Sequence, residues 1–294
     1  MAAVTSMPLE AVRELLDNRN LITTGMRADE ARRARHGTRA TFVRVLEVHV
    51  DAIPSSWPAG TSAGEVRLVG APASIDAAVA AVERAIALAG DVPVTAFSLS
   101  DLGSLAGSSP GGWRGVFDRL RGAGLTQIAD APLDASDDLR SIFEALHAAG
   151  MSAPRLTVHH GPGDREGWIA LIRRATDLQA SAGGIRAFAP LPRIVDPAQP
   201  STGYDDVIAV ALARLIADTI PSIQVDWALY GPKLAQVALT MGADDVDSIS
   251  PFEGDLGRRR SPIEEIRGNI AAAGLDAAER DGRFDSRAAA QPAQ

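Results

Sequence analysis

The sequence contains no cysteine among its 294 residues. Without a thiol the chain can form no disulfide, thiolate zinc site or cysteine nucleophile, and it offers no thiolate to an iron–sulfur cluster. Basic residues are also in the minority, because 29 lysines and arginines face 37 aspartates and glutamates, for a net charge of -8. This balance argues against nucleic acid or an anionic membrane as a partner, since both attract a basic surface. The composition favours a small-molecule ligand instead.

Long apolar runs are missing as well. No stretch approaches the roughly 18 consecutive apolar residues of a membrane-spanning helix, and the N-terminus lacks the charged and apolar regions of a secretory signal. We therefore expect a cytoplasmic protein without membrane contact. The glycine clusters fit neither G-x-G-x-x-G nor a Walker pattern in a strand-to-helix context, and no G-x-S-x-G elbow is present. The sequence thus predicts no nucleotide-binding loop and no hydrolase nucleophile elbow.

The chain does contain a repeating pair of segments. Short runs rich in β-branched residues alternate with alanine-rich segments that have helical spacing of apolar residues. The runs begin at Thr41, Glu65, Pro93, Thr126, Arg155, Ile185, Ile223 and Asp244. Their starts lie 21 to 38 residues apart, which is the period of a strand plus a crossover helix. The predicted fold is a parallel (βα)8 TIM-type barrel of the α/β class, with a doubly wound open sheet as the alternative.

The same pattern sets the boundaries. We expect N-terminal helices over residues 1–40, the barrel with a C-terminal helix over 41–284, and a disordered tail over 285–294. Ser74 and Gly90 bound the clearest helix, as N-cap and closing glycine. Further helices are predicted over 113–122, 136–149, 165–182, 204–218, 232–241 and 262–273.

Polar residues at the carboxyl ends of the predicted strands form the candidate site, because the loops that carry the chemistry of a parallel barrel leave from these ends. The candidate ligand-binding residues are Glu47, Gly70, Ser98, Asp130, Arg193, Asp226 and Tyr230. The candidate catalytic residues are His49, Asp51, His159, His160 and Lys233.

Glu47, His49 and Asp51 alternate along the first strand, so we expect all three on one side of it. With His159 or His160 they could ligate a divalent cation. The favoured interpretation is that they are hydrogen-bonded lumen residues without a metal, because this spacing is a weak signal. Only one of the two adjacent histidines can face the lumen.

Lys233 is the single lysine, and it follows Gly231 and Pro232 at the start of a predicted helix. A cation there opposes the positive end of the helix dipole. This local conflict points to contact with an anionic ligand, or with Asp226 or Asp245 across the barrel top. A solvated lysine is the alternative.

Several stretches resemble the radical S-adenosylmethionine (SAM) enzymes of futalosine-dependent menaquinone synthesis: aminofutalosine synthase, cyclic dehypoxanthinyl futalosine synthase and the related deazaflavin-cofactor synthases. They are RRARHGTRATFV, GEVRLVGAP, LQASAGGIRAFAPLPR, DDVIAVALARLIADTIPSIQVDWALYGPKLAQVALTMGADDVDSI and AAAGLDAAERDGRF, within a resemblance that runs from Arg32 to about Phe284. The resemblance implies a partial or full barrel with a SAM-type, nucleoside-like pocket in its lumen.

One departure from that family bears on mechanism. Those enzymes hold a four-iron cluster on a Cys-x-x-x-Cys-x-x-Cys loop after the first strand, whereas the loop here reads DAIPSSWPAGTSAG. The family's radical chemistry is therefore not expected in this chain. Because the cysteines are missing, the sequence predicts no iron–sulfur cluster. Gly70 and Ala71 match the family's glycine stretch only in part, so the sequence does not establish SAM or any other cofactor.

Three functions stay open, and with them whether the chain is an enzyme. The first is a cysteine-free relative of the futalosine-pathway enzymes that binds a menaquinone-pathway or related, nucleoside-like small molecule without radical chemistry, alone or as an accessory or partner subunit of a homologous active enzyme. The second is a repurposed barrel enzyme that uses His49, Asp51 and a strand-five histidine for acid/base or metal-assisted hydrolysis. The third is a structural interaction protein with a filled lumen.

Overall fold

The computed structural model describes residues 8–17, 20–194, 202–252 and 263–287. The helices are α1 (Leu9–Asp17), α2 (Leu21–His36), α3 (Ile75–Ala89), α4 (Leu99–Ser108), α5 (Gly112–Gly122), α6 (Leu139–Ala148), α7 (Arg165–Ala182), α8 (Gly203–Ile216), α9 (Trp227–Leu239) and α10 (Ile263–Ala272). The strands are β1 (Arg39–His49), β2 (Glu65–Val69), β3 (Val94–Ser98), β4 (Gln127–Pro132), β5 (Arg155–Val158), β6 (Ala187–Pro192), β7 (Ser222–Asp226), β8 (Asp245–Ile249) and β9 (Asp276–Glu279).

The first eight strands close into a parallel barrel. Neighbours pair in chain order from β2 to β8, β8 pairs with β1, and β1 pairs back with β2. This closure confirms the predicted (βα)8 barrel and excludes the open sheet, which would leave two free edges. Fully buried apolar side chains such as Phe42, Val66 and Ile128 form the core around the strands.

The helices between the strands follow the capping signals of the sequence. The Ser74 side chain accepts the Ala77 N–H at 3.1 Å at the start of α3, and Gly90 ends this helix with φ 59°. α4 was not predicted. It begins directly after β3, with a capping box between Ser98 and Asp101 as its start signal.

β9 was also missed. It pairs with the first residues of β1, from Arg39 to Phe42, while β2 pairs with β1 only from Val45 onward. Its sequence, DAAE, has little of the β-branched character that marks a strand. Part of the predicted tail folds back here, because Ser286 bridges Arg280, whereas residues 288–294 lie outside the described part of the chain.

The two N-terminal helices lie outside the barrel, where α2 packs against α8. At the carboxyl end of α2, Arg35 donates to the Ile220 carbonyl at 2.6 Å and His36 Nε2 lies 3.0 Å from the Pro221 carbonyl oxygen. None of the helices in the described ranges combines the length and apolar character needed to cross a bilayer.

Candidate functional site

Charged side chains fill the lower lumen of the barrel and neutralise one another. Three guanidinium groups meet three carboxylates there, each residue at most 2 % exposed. The six residues, called the lumen plug below, are Arg67, Arg155, Arg280, Glu65, Asp245 and Asp247. Their formal charges sum to zero, so the plug has no charge left for a ligand to balance, and the candidate site lies above it.

The plug is held by short, charge-assisted hydrogen bonds. Arg67 donates to both oxygens of Asp247, at 2.9 and 3.1 Å, and to Glu65 at 2.9 Å. Arg280 donates to both oxygens of Asp245 at 2.7 Å. Burial alone would raise the pKa of Glu65, but the guanidinium groups of Arg67 and Arg155 lower it to about 2. Glu65 is therefore ionised at neutral pH despite its burial.

Asp130 marks the layer above the plug, at the carboxyl end of β4. One of its carboxylate oxygens, Oδ1, accepts hydrogen bonds from the Ser98 hydroxyl at 2.8 Å and the Thr157 hydroxyl at 3.2 Å. The residue is only 7 % exposed. Within the described ranges, its second oxygen, Oδ2, accepts no hydrogen bond, and no cation lies within 4 Å of it.

Arg193 and Asp226 complete this layer on the opposite strands. Arg193 Nη2 lies 3.6 Å from Asp226 Oδ2, and the Ser248 hydroxyl donates to the same oxygen at 3.0 Å. Burial would lower the pKa of Arg193, but the carboxylates of Asp130 and Asp226 raise it above its ordinary value. Ser248 also accepts from Arg67 at 3.2 Å, so the layer is hydrogen-bonded to the plug beneath it.

Two non-glycine residues at strand ends have left-handed backbone conformations. Phe97 and Ser248 both have φ 59°, a region that costs an L-residue about 1–2 kcal/mol. Each of them lies next to a serine hydroxyl that bonds to an aspartate of this layer. Ser98, which follows Phe97, donates to Asp130, and Ser248 itself donates to Asp226. Strained residues of this kind concentrate at functional sites.

Glu47 and His49 stand beside this layer on β1. They are in register with Arg67 and Val69 of β2, so they share the lumen-side face of the strand. Both are exposed, because they lie above the filled lumen. Asp51 lies in the turn beyond the strand, where its carboxylate is 85 % exposed.

The His49 ring lies directly over Gly70. A β-carbon at Gly70 would come within 2.6 Å of His49 Nε2, and the glycine has φ 97°, so a side chain is excluded both by the ring and by the backbone. His49 Nδ1 accepts the Asp51 backbone N–H at 3.3 Å. In the neutral ring the proton is therefore on Nε2, the ring atom that lies against Gly70.

His159 and His160 end β5 in a turn held by Asp134, a residue that the sequence analysis did not single out. The Asp134 carboxylate accepts the backbone N–H groups of His159, His160 and Gly161 at 2.7, 2.8 and 3.1 Å. Burial would raise the pKa of Asp134, but these three donors lower it. The sequence could not indicate this role of Asp134, because its three donors are backbone N–H groups of a distant turn.

Asp101 shows which strand-five histidine is closer to the layer. Burial raises the pKa of Asp101, the Ser98 N–H opposes this shift, and Asp130 adds to it. The charges of His159 and His49 lower it. His160 is the more exposed of the two histidines.

Lys233 and Tyr230 are separated by a kink in α9. Gly231 has φ 77° and ψ 169° inside this helix, and Pro232 begins its second part. Lys233 is exposed on that second part, and no described carboxylate pairs with it. The expected contact with Asp245 is absent, because Asp245 is fully buried against Arg280. Tyr230 donates to the Pro192 carbonyl and so links α9 to β6.

A cleft of about 340 Å³ opens beside His49, at the carboxyl ends of β1 and β8. Its walls are mostly apolar, with Pro54, Pro58 and Phe252 among them, and Glu47, His49 and Ser248 supply polar groups. Because Ser248 also bonds to Asp226, the cleft borders the layer around Asp130.

The structure therefore brings together most of the predicted ligand-binding residues and adds several that were not predicted. The mouth cluster, as it is called below, comprises Ser98, Asp101, Asp130, Thr157, Arg193, Asp226 and Ser248. Among the residues whose placement is described, no three His, Asp or Glu side chains are grouped as metal ligands. Asp101 is among the strand-end polar residues that the sequence offers, whereas Ser248 was missed because a strand-end serine carries no local signal of a site.

The loop from Val50 to Gly64 does not fit an iron–sulfur cluster. It has no thiolate and is tied down by its own contacts, since Trp57 Nε1 donates to the Thr61 carbonyl at 3.2 Å and the Ser62 N–H donates to the Pro251 carbonyl at 2.8 Å. A cluster of the kind found in radical SAM enzymes needs thiolate ligands, which this chain cannot supply.

Comparison with known proteins was made at the level of both sequence and fold. No family model matches the chain. The aminodeoxyfutalosine synthase of Thermus thermophilus is 30% identical over 191 residues, which cover 60% of this chain and 50% of the relative. The enzyme of the same name from Streptomyces coelicolor is 26% identical over 171 residues, 51% of this chain and 44% of the relative.

A third relative is 5-amino-6-(D-ribitylamino)uracil–L-tyrosine 4-hydroxyphenyl transferase of Archaeoglobus fulgidus. It is 35% identical over 157 residues, 48% of this chain and 45% of the relative. The matches thus span about half the length of these relatives, and less of this chain than the stretch from Arg32 to Phe284.

The solved structures with the same fold cover nearly the whole chain. Methylornithine synthase aligns with a TM-score of 0.64 at 14% identity, over 94% of this chain and 95% of that one. The FeFe-hydrogenase maturase HydG of Carboxydothermus hydrogenoformans aligns with a TM-score of 0.60 at 11% identity, over 94% and 81%. Identities this low support the shared fold alone. The predicted resemblance is confirmed: the chain is similar in sequence to aminodeoxyfutalosine synthases and the tyrosine hydroxyphenyl transferases, has the barrel of radical SAM enzymes, and lacks every cysteine that a cluster would need.

Proposed function

We propose that this chain binds a small polar molecule at the mouth of its barrel and does so without cluster-dependent radical chemistry. The observation that carries the proposal is the mouth cluster, in which β3 to β8 each supply a polar side chain at or just after the strand end, around Asp130 and Arg193 and above a charge-balanced plug. Polar groups converging at the carboxyl ends of barrel strands are the usual basis of a ligand site.

The relatives suggest the kind of ligand. Their names refer to aminodeoxyfutalosine and to a ribitylamino-substituted uracil, and both are compounds rich in hydroxyl and amino groups. Ser98, Thr157 and Asp130 offer both donors and acceptors to such groups. We therefore propose a nucleoside-like ligand from the same or a related pathway, with a homologous enzyme of that pathway as a candidate partner.

The binding function is tested by native mass spectrometry of the purified protein, followed by extraction and identification of retained compounds. A futalosine-type set is then added in a thermal-shift assay, with Arg193→Met as the test variant and Arg140→Met as its control. We expect a retained or stabilising compound whose effect is lost in Arg193→Met alone. The absence of both a retained compound and any thermal shift would refute this function.

Acid/base hydrolysis is the second candidate, because His49 Nδ1 lies 3.6 Å from Asp51 Oδ2. In addition, the charges of His49 and His159 both lower the pKa of Asp101. A neutral His49 with its proton on Nε2 would donate a hydrogen bond to a substrate oxygen, and only the protonated ring would serve as a general acid. The double variant His49→Ala with Asp51→Ala distinguishes the two functions. Loss of turnover of a bound ester or glycoside would support hydrolysis, and unchanged turnover would reject it.

A further inference from the structure

Helix α2 lies across the outer side of α8 and covers it. Every residue of α8 from Asp206 to Ile216 is buried, although this helix is on the outside of the barrel. Between the two helices Ala28 packs with Ala211 and Leu215 in an apolar cluster that is separate from the main core. A cluster of this size buries little apolar surface, so the polar contacts at the carboxyl end of α2 matter for its attachment.

These polar contacts all end on the loop between α8 and β7. Arg35 donates to the carbonyls of Asp218 and Ile220, the latter at 2.6 Å. His36 Nε2 lies 3.0 Å from the Pro221 carbonyl oxygen, which can only accept, so this ring nitrogen carries a proton and donates. Two adjacent side chains thus fasten the last turn of α2 to the loop.

The surroundings of His36 are already cationic. The guanidinium groups of Arg35 and Arg214 both act on the ring, and Arg214 donates to the same Pro221 carbonyl at 3.3 Å. Among the described residues, the carboxylate that faces the ring is that of Asp244, whose Oδ2 lies 3.4 Å from Nε2. It is shared, because its Oδ1 accepts from Arg214 and from a backbone N–H. A protonated imidazole would therefore be a third cation beside one carboxylate.

The acidic residues of α2 do not offset this charge. Asp29 pairs with Arg32 and Arg33, and Glu30 is exposed to solvent. Arg32 also donates to the Gly37 carbonyl at 3.1 Å, which places a further guanidinium group at the same end of the helix.

The pKa of His36 reflects these surroundings. Burial lowers this pKa below its ordinary value of 6.5, and Arg214 and Arg35 add to the shift, whereas Asp244 and the Pro221 carbonyl oppose it. A histidine with a lowered pKa contributes stability that is present above pH 6.5 and is lost as the pH falls below this value. The Nε2–H bond itself survives protonation, so the loss comes from the additional buried charge.

We propose that His36 makes α2 an acid-sensitive clamp, in which protonation of the ring loosens the last turn of α2 from the loop between α8 and β7 and uncovers the outer face of α8. The clamp goes beyond the proposed binding function, because it lies near the amino ends of β7 and β8 and not at the barrel mouth. It responds to mildly acidic pH, at which Glu65 of the lumen plug stays ionised because its pKa is about 2.

Hydrogen–deuterium exchange of the full chain tests the clamp at pH values of about 7.5 and about 5.5, on either side of the titration of histidine. Exchange times are scaled for the pH dependence of the chemical exchange rate. We expect the protection of α2 and α8 to fall several-fold at the lower pH, and that of α5, on another side of the barrel, to stay unchanged.

Two variants separate His36 from the other titrating groups. His36→Gln keeps a side-chain N–H donor for the Pro221 carbonyl but cannot titrate, so its α2 should be equally protected at both pH values. His147→Gln, at an exposed position on α6, is the matched control and should retain the fall seen in the wild type.

Equal protection of α2 at both pH values in the wild type would overturn the clamp. So would an acid-dependent loss that persists in His36→Gln. Should this variant fail to fold, an NMR titration of the His36 ring in the unaltered protein decides the matter. Its midpoint is expected below 6.5, and a midpoint at or above 6.5 would also overturn the proposal.

Discussion

At the scale of single residues, the lumen plug makes a specific prediction about stability. Replacing a buried ion network by apolar side chains can be neutral, but removing one partner leaves an opposite charge buried and unpaired. Arg67 has two such partners, Glu65 and Asp247, both fully buried.

We therefore expect Arg67→Met to lower the free energy of unfolding by about 3–5 kcal/mol. Arg140→Met is the matched control, because Arg140 pairs with Glu144 on an exposed helix face where such pairs contribute little. Urea unfolding followed by circular dichroism measures both. Equal losses in the two variants would show that the plug is not a special determinant of stability.

The plug also predicts how stability depends on pH. The folded-state pKa of Glu65 is lowered to about 2 from an ordinary value of 4.5. A lowered carboxyl pKa contributes stability that is fully present above pH 4.5 and is lost as the pH falls toward 2. We expect the urea midpoint to decline steeply across this window.

In Glu65→Gln the midpoint at neutral pH should be lower, but the decline between pH 4.5 and 2 should be shallower. Glu144→Gln, on the exposed face of α6, should retain the full decline. Parallel curves for the wild type and Glu65→Gln would contradict the pKa assignment.

At the scale of elements, the turn after β2 positions His49. Gly70 and Gly60 both have positive φ, but a β-carbon at Gly60 meets no atom within 4 Å while one at Gly70 meets the His49 ring at 2.6 Å. Alanine at Gly60 therefore introduces backbone strain alone, whereas alanine at Gly70 introduces backbone strain and a clash with the His49 ring. Gly60→Ala should cost about 1 kcal/mol of unfolding free energy from its φ alone.

Gly70→Ala should cost more than Gly60→Ala and should also move the imidazole of His49. The measurements are urea unfolding and the NMR resonances of the His49 ring, which we expect to shift in Gly70→Ala and to remain in place in Gly60→Ala. An unchanged His49 resonance in Gly70→Ala would show that the ring does not depend on this turn.

The elements also show where sequence reasoning succeeds. The eight barrel strands are long or β-branched enough to be recognised, and helix α3 is bounded by Ser74 and Gly90. β9 was invisible because its four residues are stabilised by pairing with Arg39–Phe42 and not by their own propensity. Contact of Lys233 with an anionic ligand, Asp226 or Asp245 stood beside a solvated lysine as interpretations of the sequence. Neither the kink at Gly231 nor the burial of Asp245 by Arg280 can be read from neighbouring residues.

At the scale of the whole molecule, the chain combines the barrel of radical SAM enzymes with a sequence that contains no cysteine. Anaerobic reconstitution with iron and sulfide should therefore yield no absorbance band of a four-iron cluster, and incubation with SAM and dithionite should yield no 5′-deoxyadenosine. An aminodeoxyfutalosine synthase with its cysteines intact is the positive control. A stoichiometric cluster in this protein would contradict the proposed function.

The charge balance of the lumen plug also restricts how such a barrel can change through evolution. A substitution at Arg67, Arg155 or Asp247 must be accompanied by a second substitution among the same six residues, because each intermediate with one change carries an unpaired buried charge. In the mouth above, the Arg193–Asp226 pair has the same dependence, whereas Ser98, Thr157 and Ser248 are neutral and can be replaced without changing the charge balance. The ligand preference of such a barrel can therefore change more easily than its lower lumen. The plug keeps the lower lumen the same while the residues at the mouth diverge.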